Sequence, residues 1–98
     1  MKEYNIEYCF TKDHPVENIK LLFDGLDHLL TNLNNLKKVS CDTNKEGDKE
    51  LVIKNEASGD SYRVKIKGNP DNVGSTLGDI ILFICDRIIA KSKEEKAL

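Results

Sequence analysis

Ninety-eight residues, 39% hydrophobic and 33% charged, describe one small folded domain rather than a disordered or fibrous chain. A net charge of −2 supplies no bulk attraction for nucleic acid or anionic lipid. A chain this size hides roughly 60 to 65% of its unfolded surface, enough for one core but not for a core plus a deep active site.

The opening segment MKEYNIEYCF alternates polar and apolar residues. It lacks the basic start and unbroken apolar run of an export signal. Residues 3 to 10 read as a strand with Tyr4, Ile6, Tyr8 and Phe10 on one face and Asn5, Glu7 and Cys9 on the other. TKDHP breaks it, and Asp13 or His14 can cap a helix that has Pro15 in its first turn.

That helix is expected over about 15 to 37. Val16, Ile19, Leu22, Phe23, Leu26, Leu29, Leu30, Leu33 and Leu36 recur in steps of threes and fours. At about 100° per residue they make one stripe roughly 160° wide, with Leu21 off it. Three short strands follow, near 38–43, 49–55 and 61–67, separated by turns at Gly47 and Gly59. Links this short favour an antiparallel meander. In the last strand Tyr62, Val64 and Ile66 point inward and Arg63, Lys65 and Lys67 outward, the pattern of a sheet covered on one side.

GNPDNVGSTLGD leads into a second helix, capped by Asn69 ahead of Pro70 or by Thr76 with Asp79 three residues on. The helix should reach about 92, with 92–98 fraying behind it. Its apolar run Ile80–Cys85 ends at Asp86 and Arg87, far short of the about 20 residues of a membrane span. Val73, Leu77, Ile80, Ile81, Ile84 and Ile88 should face the sheet. Leu82, Cys85 and Ile89 widen the stripe toward the first helix, and Gly78 and Cys85 would let the two axes approach. The order β-α-β-β-β-α predicts an α+β two-layer sandwich: a four-stranded, mostly antiparallel sheet with both helices on one face. The first strand fits beside the second or beside the fourth.

On the wheel Phe83 falls opposite the stripe, among Asp79, Asp86 and Arg87. An apolar anchor with a polar rim is the form of a protein contact, so these four residues are the expected partner-binding site. A homodimer and a foreign partner both satisfy that pattern.

The remaining motifs carry little chemistry. Asp24 and His28, with Glu17 nearby, sit on the polar face of the first helix without a nucleophile or third ligand. The glycine-rich loop fails as a phosphate cradle, because Leu77-Gly78-Asp79 stands where a Lys and a Ser or Thr are required. Cys9, Cys41 and Cys85 have neither disulfide-framework nor metal-knuckle spacing and read as buried reduced thiols. No cofactor or metal is expected.

Arg63, Lys65 and Lys67 make a basic row on the open sheet face, an alternative surface for nucleic acid. It lacks the outward aromatics on which bases stack. One helix, three strands and a second helix resemble the double-stranded RNA-binding domain in order. That family's second helix opens on a lysine-rich motif and this one opens on GSTLGD, so the resemblance carries no RNA contacts over. The expectation is therefore a small non-enzymatic, cytoplasmic protein-binding module. Inhibitor, immunity and antitoxin-like proteins act this way, by occluding a partner. A subunit of a larger assembly is the other alternative. Lysine-, asparagine- and isoleucine-rich usage points to an AT-rich bacterial or phage genome.

Overall fold

The computed structural model describes residues 1–33, 35–45 and 47–97, with side chains as far as Lys93. Six elements follow the expected order: β1 (Glu3–Cys9), α1 (Glu17–Thr31), β2 (Leu36–Thr43), β3 (Lys49–Asn55), β4 (Ser61–Lys67) and α2 (Val73–Ala97). They form one four-stranded sheet in the order β1-β4-β3-β2. β2 with β3 and β3 with β4 are antiparallel, while β1 runs parallel to β4. The first strand has thus taken the second of its two allowed places, beside the fourth.

One core fills the space between sheet and helices. Leu22, Leu26 and Leu30 of α1 and Ile80 and Ile84 of α2 meet Leu51, Ile53, Tyr62, Val64 and Ile66 of β3 and β4, all buried. Each such side chain contributes roughly 1.5 to 3 kcal/mol of burial. Both helices therefore lie on the same sheet face. They also run the same way: Asn18 hydrogen-bonds Pro70 O, and Gly25 meets Leu77, each pair 52 residues apart (70 − 18, 77 − 25). The close helix contact uses Gly25, where an added Cβ would lie 3.2 Å from Leu77 Cδ2. A Cβ added at Gly78, the glycine expected at that contact, would meet none of the described residues within 4 Å.

The helix limits or their caps differ from the periodicity at all four ends. α1 begins after Val16, whose position has no side-chain cap, so Asp13 and His14 do not serve there. It ends at Thr31 rather than near 37. Asn35 takes a left-handed φ of 71° that reverses the chain and hands Leu36 to β2. Asn residues tolerate that conformation better than most. α2 is capped by Asn72, whose Oδ1 accepts from Ser75 N at 2.9 Å. Asn69 instead ties the loop down by donating to Lys12 O and His14 O. The helix also continues past 92 to Ala97. Among the described residues no helix is long and apolar enough to cross a membrane.

Candidate functional site

A sheet of four strands has two edges, and here they are built differently. β2 carries Lys37 and Lys38 and a register break between Lys38 and Ser40, with Val39 exposed at the bulge. Lysines and bulges are the usual means of blunting an edge against added strands. β1 has neither. Its pairing with β4 runs unbroken from Glu3↔Ser61 to Cys9↔Lys67.

The register also fixes which backbone groups of β1 are left over. Ser61 N donates to Lys2 O and Phe10 N donates to Lys67 O. In a parallel ladder both groups of a residue point the same way, so the even residues serve β4. The N–H and C=O of Glu3, Asn5, Glu7 and Cys9 face outward, away from the sheet.

Above that edge lies one flank of α2. Tyr4 stacks on Tyr62 with ring centroids 5.7 Å apart, and Tyr8 stacks on Phe10 at 6.1 Å. The Arg87 guanidinium lies 5.8 Å from the Tyr4 ring and 5.0 Å from the Phe83 ring, within cation–π range. Burial, and then the Asp79 carboxylate, push the Tyr8 hydroxyl above its ordinary range. Arg87 therefore stands over Tyr4, and Lys91 reaches the Asp60 carboxylate that holds Lys2 N, so α2 runs antiparallel to β1 and Asp79 falls toward the Tyr8 end. The lengths agree: eight helical residues span about 12 Å and four strand residues about 13 Å. By that count Phe83, midway between Asp79 and Arg87, falls level with Ile6.

This placement corrects the wheel. Phe83 is half-buried and packs against the core; it does not project into solvent opposite the stripe. The apolar residues of α2 that do are Leu82, 60% exposed, and Ile89, 52% exposed. The helix presents Ile80 and Ile84 downward and overhangs β1, so the side that a wheel leaves unassigned meets the β1 aromatics. Asp79, Asp86 and Arg87 remain exposed along that overhang.

Asp60 locks the two elements of this surface together. It is 2% exposed, accepts from Lys2 N at 2.9 Å, and pairs with Lys91 Nζ at 3.1 and 3.2 Å. The Lys2 amide first, with Lys91 and Ser58 assisting against burial, holds its carboxyl below the ordinary aspartate value. The turn residue thus grips the start of β1 and a late turn of α2. Spacing alone could not pair residues this far apart in the chain.

The other expected sites are less well formed. Arg63 Nε pairs with Glu3 at 3.0 Å and its Nη1 with Glu50, while Lys67 pairs with Glu7 at 3.2 Å. Lys65 lies in register between Glu7 and Glu50. The basic row is thus interleaved with carboxylates from both neighbouring strands. Asp24 and His28 are exposed on α1, and among the described residues no three potential ligands group for a metal. Cys9 and Cys41 are exposed rather than buried, since one lies on the open sheet face and the other on the β2 edge; Cys85 is half-buried. A cleft of about 660 Å³ opens between the end of α1 and the start of β2. Its lining includes Leu30, Leu33, Leu36 and the Asp27–Lys38 ion pair.

Among known proteins, no family model, no curated protein and no solved structure matches this chain.

Proposed function

We propose that this chain is a non-catalytic protein-binding module that takes a partner polypeptide as an added strand on β1, beneath the Asp79–Phe83–Arg87 flank of α2. The observation that carries the reading is the asymmetry of the edges: β2 is blunted and β1 is left open, regular and lined with aromatics. Strand addition supplies main-chain hydrogen bonds for affinity and side-chain contacts on alternate residues for specificity. Four outward residues offer both groups, at about 0.5 to 1.5 kcal/mol net for each bond formed. Tyr4, Ile6, Tyr8 and Phe83 add apolar contact, and Asp79, Asp86 and Arg87 form the polar rim. Such a module acts by occupying or bracing its partner. The interleaved carboxylates weigh against the rival use of Arg63, Lys65 and Lys67 for nucleic acid, because Glu3, Glu7 and Glu50 would face the phosphates too.

Asn5→Pro tests the surface. The Asn5 N–H points outward, so proline removes no bond to β4 and is tolerated on an edge, yet it blocks a fifth strand. Tagged wild-type chain should retain a partner from cells of its source, either a foreign protein or its own untagged copy, and Asn5→Pro should lose it. Equal retention by both would overturn the proposal.

A further inference from the structure

We infer that the occupant of the β1 edge is a second copy of this chain, joined antiparallel about a two-fold axis through Ile6 and Phe83. This rests on the docking surface above and names what fills it.

The argument is one of self-complementarity. A two-fold contact requires that residues at equal distances from the axis suit each other. On the strand, Tyr4 and Tyr8 lie two residues either side of Ile6. On the helix, Asp79 and Arg87 lie four residues either side of Phe83. Because Arg87 stands over Tyr4 and α2 runs antiparallel to β1, with Lys91 at the Asp60 carboxylate that holds Lys2 N, one axis serves both layers. It brings Tyr4 opposite Tyr8 of the second copy, Ile6 opposite Ile6, and Arg87 toward Asp79 of the second copy. Both halves of each pairing recur by symmetry, and Asp86 stays on the solvated rim.

Shifting the axis by one residue destroys the match. An axis through Asn5 sets Glu3 directly against Glu7 twice, and one through Glu7 sets Glu7 against itself. Like charges directly opposite are destabilising. An axis through Tyr4 sets Ile6 against Lys2 and leaves Tyr8 without a counterpart. With the axis at Ile6, the outward groups pair Asn5 with Glu7 and Glu3 with Cys9, so no like charges stand directly opposite. Glu3 and Glu7 also keep their neighbours Arg63 and Lys67 on β4. The product is an eight-stranded sheet continuous across two copies, with the two α2 helices antiparallel above its centre.

Three measurements on the full chain test this. Light scattering across a concentration series should give twice the monomer mass of 11.1 kDa for wild type and 11.1 kDa for Asn5→Pro. Asp79→Arg and Arg87→Asp should each weaken association, about tenfold for a close charge pair. The double exchange should recover much of the loss. Finally, Glu3→Cys places a thiol opposite the native Cys9 of the second copy, about 5.5 Å away between Cα atoms, within disulfide range. In a Cys41→Ser background, mild oxidation should give a covalent dimer that disappears when Cys9 is also changed to Ser.

The outcomes separate the two readings. If wild type stays at 11.1 kDa throughout while Asn5→Pro abolishes capture of a foreign protein, the second-copy inference falls and the docking surface stands. If Asn5→Pro alters neither mass nor capture, both fall. A dimer that survives Asn5→Pro, or that fails to cross-link through Glu3→Cys, overturns this geometry.

Discussion

Gly68, just beyond β4, lies directly against the backbone that follows β1. Its φ is +79°, and a Cβ added there would lie 2.0 Å from Phe10 O and 2.7 Å from Phe10 C. Phe10 is held at that point by its own N–H bond to Lys67 O, at 2.8 Å. Gly47 provides the control: its φ is +87°, but a Cβ added there would meet none of the described residues within 4 Å. Alanine at Gly47 should therefore cost only left-handed strain, about 1 to 2 kcal/mol. Alanine at Gly68 bears the same strain and must also force a backbone carbonyl aside, which no side-chain rotation can relieve. Breaking the Phe10–Lys67 bond and parting the strand ends adds about 1 to 3 kcal/mol, for a total of about 2 to 5. Urea unfolding followed by circular dichroism measures both, with a slope of about 1 kcal/mol/M expected for a chain this short. Equal losses for the two variants would refute the reasoning, because the close approach would then carry no energy.

Three further outcomes follow from packing and charge. Leu26→Ala removes a fully buried side chain and should cost about 2 to 5 kcal/mol, whereas Leu21→Ala, at a residue 55% exposed, should cost no more than about 0.5, both read by urea unfolding. Asp60 has a folded pKa below its unfolded value, so its contribution is complete above the ordinary aspartate range and disappears as pH falls through the lower folded value. Melting temperature should accordingly fall in acid more steeply for wild type than for Asp60→Asn, and parallel curves would refute the latch. Phe83→Asp should destabilise the monomer by about 1 to 3 kcal/mol, since it puts a carboxylate at the margin of the core; an unchanged unfolding midpoint would return Phe83 to the solvent face.

What is legible in the sequence is what short-range physics determines. The limits of β3 and β4 agree with the alternation of 49–55 and 61–67, because Gly47 and Gly59 sit at left-handed turns that no other residue type enters as easily. The leucine series of α1 misleads at its end. Leu33 and Leu36 stay in helical phase after the helix has stopped, and only the reversal at Asn35 breaks it. The cap at Asn72 is within reach, with Ser75 three residues on, but Asn69-Pro70 and Thr76 offer competing signals. Phe83 lies half-buried against the core, whereas the wheel places it opposite the buried stripe. A helical wheel shows which residues share a side and not what that side overhangs, and β1 reaches α2 only through its parallel place beside β4. The Asp60 latch is illegible for the same reason, as it joins three elements distant in the chain.

Amide hydrogen exchange resolved along β1, at low and at high protein concentration, tests the central claim most directly. The N–H groups of Ile6, Tyr8 and Phe10 serve β4 and should be protected at both concentrations. Those of Glu3, Asn5, Glu7 and Cys9 should exchange rapidly at low concentration and become protected at high concentration, as a second β1 covers the edge. Rapid exchange at all four positions whatever the concentration would contradict the account, because the edge would then be open in the associated state as well as the free one.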